Sequence, residues 1–424
     1  MAVTAVVGAQ WGDEAKGKVV DLLAPQAAIV ARFNGGDNAG HTVVNPHGTF
    51  KLRLTPNGFS SPDTACVIGP GVVVNLQTLL EEAATIEAAG LNLGARLWVS
   101  PRCHVVMPYH PLLEGIYESA RGAAKTGTTK RGMGPVYADK VSYNGIRLFD
   151  LLEEEQFAAR LKIQLALKNP ILQAFGVEAL DFEQVYREKL AQFDRLRPFV
   201  REPFGLVQQA IKREALVLLE GAQGALLDNN WGTYPFCTAS TTLAGGASAG
   251  LGFSPRALTR VIGVVKAYTT RVGAGPLPTE LFDAAGRHLA EKGREFGTVT
   301  GRARRCGWFD AELARFTCTL NGCTELALTK LDVLDGLETL RIGVGYRTSA
   351  GEQRHYWEGD AHWLASCTPE TIELPGWQAD TSAMRDYGSL PPQARAYVEK
   401  IEELVGVPVR MISVGPEREA MIFK

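Results

Sequence analysis

The 424-residue sequence predicts an α/β fold built on a large, mostly parallel or mixed central sheet flanked by helices. Two observations carry that expectation. Short apolar runs rich in β-branched residues alternate along the chain with segments of helical periodicity, and several of the runs end in turns crowded with glycine and polar residues. Helical crossovers then lay the strands side by side, and ligands collect at the carboxyl ends of those strands.

In chain order, "VTAVVG", "AAIVARF", "ACVIG" and "RLWVS" read as buried strands, and so do "ALVLLEG", "RVIGVVKAY", "ELALTKLD" and "TLRIGVGY". The segments "NLQTLLEEAATIEAAG", "DLLEEEQFAARLKIQLALKN", "DFEQVYREKLAQFDRL" and "PPQARAYVEKIEELVG" carry helical spacing, with glycine closing the first and last. The helical stretch from about Leu151 to Arg213 has the character of an insertion, but no linker marks it off, so one domain over residues 1–424 is expected. Lys plus Arg total 44 and Asp plus Glu 46, which offers no bulk charge for nucleic acid or a membrane surface. No apolar run approaches the roughly 20 residues that span a bilayer. Seven scattered cysteines form no metal-ligand spacing and suit reduced thiols, and "MAVTAVVGAQW" lacks a basic leader. A cytoplasmic protein is expected.

The first strand runs into "GAQWGDEAKGKVVDLL", where Gly12, Gly17 and Lys18 fit the phosphate-loop spacing G-x-x-x-x-G-K. Val19 stands where a Ser or Thr would hold the metal, and Asp13 places a carboxylate where phosphates arrive. Backbone N–H groups and the following helix start suit phosphate oxygens, with Lys16 and Lys18 supplying charge. "FNGGDNAGHTVV" sets Asn38, Gly40, His41 and Thr42 on a second Gly-rich turn, from which a histidine can donate to an oxyanion. "LALTKLDVLDG" ends a strand in Thr329-Lys330-x-Asp332, whose carboxylate can accept from guanine N1–H and its 2-amino group. "FGTVTGRARRCGW" gathers Thr300, Arg302, Arg304 and Arg305, forks that match carboxylates and phosphates. "KTGTTKRGMGPVYADK" and "EGAQGALLDNNWGTYPFCTAS" add the glycine, hydroxyl and amide groups of a polar small-molecule pocket.

With these motifs in order, and with "KAYTTRVGAGPLPTEL" and the terminal "SVGPE", the sequence resembles the adenylosuccinate synthetase family over nearly its whole length. The resemblance implies a fold distantly similar to P-loop NTPases, a homodimer, and GTP-dependent joining of L-aspartate to IMP through 6-phosphoryl-IMP. It implies that Asp13, His41, Lys16 and Gln223 are catalytic: Asp13 as base on the purine N1 proton, His41 as donor to the oxygen between the β and γ phosphates. Magnesium would be held by Asp13 and the Gly40 carbonyl. GTP would meet Gly12, Asp13, Glu14, Ala15, Lys16, Gly17 and Lys18, then Gly40, His41 and Thr42. Arg304 also falls there, with Lys330, Leu331 and Asp332, and Ser413, Val414 and Gly415, framing the rest of the nucleotide. IMP would lie among Asp13, Lys16, Asn38, Ala39, Gly40, His41, Thr129, Lys130, Tyr143, Gln223, Thr238 and Arg302. Aspartate would lie against Thr298, Val299, Thr300, Gly301, Arg302, Ala303 and Arg304.

Several positions depart from the family pattern. Ala15 and Lys130 replace glycines, Asp37 stands where some members have histidine, and Val299 replaces a threonine. Tyr143 stands where an arginine crosses the dimer to the IMP phosphate, and "TASTTLAGG" also differs. Because an alanine in left-handed geometry is strained, a negative φ is expected at Ala15. The alternatives left by the sequence are a divergent ligase that phosphorylates another purine-like nucleotide or uses another amine donor, and a GTP-binding switch without ligation. A switch needs only the GTP residues, so the arginine-rich loop and the Asp13/His41 pair argue against it.

Overall fold

The computed structural model describes residues 3–296 and 303–424. Its spine is a nine-stranded sheet. In chain order the strands are β1 (Val3–Gly8), β2 (Ile29–Arg32), β3 (Ala65–Ile68), β4 (Leu97–Val99), β5 (Val217–Glu220), β6 (Leu258–Lys266), β7 (Glu325–Thr329), β8 (Val409–Ser413) and β9 (Met421–Phe423). Across the sheet they run β9-β8-β7-β6-β1-β5-β2-β3-β4, all parallel except β9, which turns back antiparallel on β8. β1, β2 and β5 are buried at every residue, as expected of unbroken apolar strands covered on both faces.

The strand order sets the site. From β1 the chain passes through helix α1 (Lys16–Leu23) to β2, leaving a gap that β5 fills almost two hundred residues later. The sheet therefore extends in opposite directions from β1, and the loops after β1, β2, β5, β6, β7 and β8 all leave its carboxyl edge.

The helical excursion between β4 and β5 packs back on the sheet's flank. It meets helix Leu76–Ala88, which lies between β3 and β4 and is started by Asn75, whose side chain accepts from Thr78 N at 3.3 Å. That helix shares one apolar cluster with helix Phe182–Leu196 through Leu79, Ala83 and Ile86 against Val185, Phe193 and Leu196. Each fully buried side chain of this kind contributes about 1.5–3 kcal/mol. One strand expectation needs correction: Thr339–Arg347 lies outside the central sheet and pairs antiparallel with Thr368–Pro375. Its exposed positions, Thr339, Arg341 and Arg347, suit a sheet with one wet face. The strands β8 and β9 were not read from the sequence, because both are brief and β8 is interrupted by the exposed Arg410.

Candidate active site

The loop after β1 folds around a buried carboxylate. Glu14 accepts from Gly12 N at 2.8 Å and Gln10 N at 3.1 Å, and binds the Lys16 ammonium at 2.7 Å. Asp13 (φ 59) and Ala15 (φ 67) are both left-handed. The expectation of negative φ at Ala15 is therefore wrong. The inward hydrogen bonds to Glu14 and the helix start at Lys16 over-determine the turn, and the strain of a Cβ there is tolerated. Lys18 also departs from expectation. Its ammonium donates to Ser413 Oγ (2.6 Å), Gly415 O (2.7 Å) and Ala420 O (2.8 Å), so it clasps β8 and the turn after it rather than lying along a phosphate path. Burial lowers its pKa to about 8, partly opposed by Asp332.

His41 does not sit on a free turn; it opens strand His41–Asn45, a hairpin with Gly48–Leu52. A Cβ on Gly17 would come within 3.4 Å of the His41 ring, so glycine lets the histidine pack against the start of α1. Both ring nitrogens are engaged. Nδ1 lies 2.9 Å from Glu220 Oε1, and Arg32 donates to Nε2 at 2.9 Å. Burial, then the Arg32 charge working against Glu220, lowers the imidazole pKa, so the ring is neutral and its one proton goes to Glu220. The donation to a phosphate oxygen expected from sequence is not made in this arrangement, because the buried Arg32 and Glu220 hold the ring. Gly40 is half-buried just before it, and Thr42 is exposed.

At the next loops, three of the residues expected around the purine come together. Gln223 (φ 57) donates to Asn38 Oδ1 at 3.1 Å, and Asn38 donates to Thr238 Oγ1 at 3.4 Å, joining the turns after β2 and β5. A Cβ on Gly224 would lie 2.3 Å from Gln10 O and 2.6 Å from Glu14 Oε1, so this glycine allows the β5 turn to rest on the phosphate loop. Ala39 is buried beside Asn38. Thr129 is half-buried on a loop organised by Glu118, which accepts from Thr126 Oγ1 (2.6 Å) and Gly127 N (2.9 Å). Lys130 (φ 57) and Tyr143 (φ 68) are exposed and left-handed. Asp37 is buried and accepts from Asn75 Nδ2 at 3.0 Å, a helix-anchoring position.

The opposite side of the loop carries charge. Arg304 donates through Nε to Asp13 Oδ2 at 2.8 Å and through Nη1 to Glu295 Oε2 at 2.6 Å. Lys330 (φ 59) reaches Glu295 Oε1 at 2.6 Å and Gly293 O at 2.7 Å. Asp332 Oδ1 is buried with no hydrogen-bond partner among the described residues, and burial raises its pKa. It lines a cavity of about 420 Å³ with Lys292, Asp335 and Gln378. Leu331 and Val414 are buried; Ser413 Oγ donates to Gly415 O at 3.0 Å. Ala303 is exposed. Thr298, Val299, Thr300, Gly301 and Arg302 lie outside the described residues.

The sequence reading missed Arg32, Glu220, Lys266 and Glu295. Three of them had a signal: "IVAR", "VLLE" and "IGVVK" are apolar strands that each end in one charge, at the carboxyl edge. In the sheet Arg32 stands in register with Glu220. Glu295 had no such signal.

Parallel strands radiating from β1, a glycine-rich loop entering a helix, and an acid after β7 with one oxygen unpaired among the described residues define a nucleotide-binding α/β enzyme of the phosphate-loop class. The family model for adenylosuccinate synthetase matches residues 5–422. The chain is 48% identical to adenylosuccinate synthetase of Heliobacterium modesticaldum, covering 100% of this chain and 99% of the other. It is 50% identical to that of Thioalkalivibrio sulfidiphilus, over 98% and 97%. A fully ligated adenylosuccinate synthetase structure from Plasmodium falciparum superposes with a TM-score of 0.94 at 36% identity, covering 100% of both chains. Succinoaminodeoxyadenylate synthetase of cyanophage S-2L, at 21% identity and TM-score 0.62 over 99% and 95%, shares the fold alone. The chain belongs to the adenylosuccinate synthetase family.

Proposed function

We propose that this chain joins L-aspartate to IMP at the expense of GTP, giving adenylosuccinate, GDP and phosphate in AMP biosynthesis. The observation that carries the reading is Asp13: a carboxylate in the phosphate loop, held by Arg304, within a chain that matches the family from residue 5 to 422. A base belongs beside the γ-phosphate when the nucleophile is a purine oxygen that must lose a proton from the adjacent N1. Asp13 takes that proton. Asn38, Gln223 and Thr238 orient the purine, and Lys16 offsets charge in the loop. Asp332 reads the guanine edge, where its unpaired oxygen finds donors.

For His41 the proposal adds a condition. Moving the Arg32 guanidinium off Nε2 removes a positive neighbour and lets the Glu220-held ring take a second proton. Nε2 can then donate to the oxygen between the β and γ phosphates. Magnesium suits the family's divalent metal: Asp13 in the phosphate loop and the Gly40 carbonyl just before His41, both hard oxygen donors, would hold it. Such an ion takes one or two carboxylates and completes its shell with phosphate and water. When bound, it neutralises phosphate charge. No group of three or more His, Cys, Asp or Glu that could hold a metal ion occurs among the described residues.

A homodimer is supported by an apolar stripe at fourfold spacing on helix Glu154–Ala174 and just beyond it: Ile163, Leu167, Ile171 and Phe175 are all exposed. Val141 and Tyr143 are exposed as well. No helix among the described residues is long and apolar enough to cross a membrane, and we place the enzyme in the cytoplasm. A spectrophotometric assay varying IMP, GTP and aspartate one at a time tests the reading. Adenylosuccinate formation dependent on all three is expected. GTP hydrolysis without ligation, or faster turnover with another purine nucleotide, would overturn it.

A further inference from the structure

Glu295 is the most heavily paired acid near the site, and the reaction as proposed gives it no task. It is 1% exposed. Its carboxylate accepts from Lys266 (3.0 and 3.1 Å), Lys330 (2.6 Å), Arg304 (2.6 Å) and the Tyr268 hydroxyl. Lys266 spends another proton on Thr270 Oγ1 at 2.6 Å. The cations come from three elements: the end of β6, the residue after β7, and the loop that pairs with Asp13. Together with Asp13 they make three positive and two negative groups.

A fold that needed only to neutralise one buried carboxylate would use one cation, since every further buried charge adds a desolvation penalty. Three cations on one acid are instead a means of fixing their mutual positions. Arg304 is the telling one, because its guanidinium has Glu295 on one nitrogen and Asp13 on another. Lys330 is the second: its left-handed backbone leads into Leu331 and Asp332, so holding its ammonium fixes the turn that aims Asp332. Each of these side chains is long and rotamer-rich, and without a common acceptor each would be free to relax toward solvent or toward the other's partner.

We infer that Glu295 is a positioning residue for the ligation reaction. It holds Arg304 against Asp13 and Lys330 at the nucleotide end, and touches no substrate itself. The inference rests on the proposed function, since it takes Asp13 as the base and Asp332 as the guanine reader.

The test is steady-state kinetics of adenylosuccinate formation with Glu295→Gln, which keeps shape and one acceptor but removes the charge. The GTP KM should rise about fivefold or more and kcat fall about tenfold, while the IMP KM stays within about twofold. In the double variant Glu295→Gln/Lys330→Met, the GTP KM should rise by clearly less than the product of the two single effects, because both changes break the same Glu295–Lys330 contact. A lower active fraction with all three KM values unchanged, or multiplication of the two effects, would mean that Glu295 serves folding only and would overturn the inference. If Glu295→Gln does not fold, Tyr268→Phe removes only the hydroxyl donor. It should raise the GTP KM about twofold to threefold, and wild-type constants there also overturn the inference. Asp332→Asn separates the two levels. If it leaves the GTP KM unchanged, the nucleotide reading fails; if it acts while Glu295→Gln does not, only the positioning role fails.

Discussion

Ala15 offers a measurement in which backbone geometry alone is changed. With φ 67 and ψ 34 it occupies the left-handed region, on the residue that precedes α1. An L-residue there is strained by about 1–2 kcal/mol relative to its right-handed form. Glycine escapes that strain but loses about 0.5–1 kcal/mol of extra chain entropy on folding. The difference predicts that Ala15→Gly stabilises the protein by about 0.5–1 kcal/mol. For a chain of this length that is a rise in Tm of only about 1 °C, so matched calorimetric scans or denaturant midpoints are needed. Because the loop amides already face Glu14, kcat should remain within about twofold of wild type. Ala15→Val supplies the opposite arm: a β-branched residue at positive φ is an outlier, and stability should fall by more than about 1 kcal/mol. A lower melting temperature for Ala15→Gly than for wild type would refute the reasoning, since glycine can suffer no Cβ strain at that position.

Asp13→Asn removes the base and a metal-binding charge together, so turnover should fall beyond the roughly 10²–10⁴-fold of a single acid–base residue. Retention of more than about a tenth of wild-type kcat would exclude Asp13 as the base. Asp332→Asn should weaken GTP by about 1.5–3 kcal/mol, and ATP should be a poor donor in the wild type. Equal kcat/KM for the two nucleotides would contradict that reading. Asp310 gives a pH test. Burial raises its carboxyl to about 6 from 3.8, against hydrogen bonds from Tyr346 Oη (2.7 Å) and Leu313 N (3.1 Å). The folded state therefore keeps a proton that the unfolded chain has lost between those values, and the contribution to stability is full below about pH 4 and lost as pH rises through 6. The stability advantage of wild type over Asp310→Asn should shrink across that window in urea titrations; a constant difference would rule out the shift.

The sequence alone determined the layers of the fold and which loops carry chemistry, because both depend on local pattern. An unbroken apolar run such as Val3–Gly8 must be covered on both faces, and a glycine-rich turn after it cannot be mistaken for core. Likewise Thr329-Lys330-x-Asp332 declared an acid at a strand end, and one oxygen of that acid is unpaired among the described residues. What only the tertiary structure decided is the partner of each charge. Lys18 reads as a phosphate ligand from its spacing, yet β8 and the turn after it, nearly four hundred residues away, supply all three of its acceptors. His41 is claimed by Arg32 and Glu220 because β5 inserts beside β2, and Glu295 gathers cations from β6, β7 and the Arg304 loop. Ala15 takes positive φ because Glu14 turns inward beneath it. Periodicity reports whether a residue is buried, but a buried charge is satisfied by whichever strand the topology brings alongside, and that order is written in no local stretch of the chain.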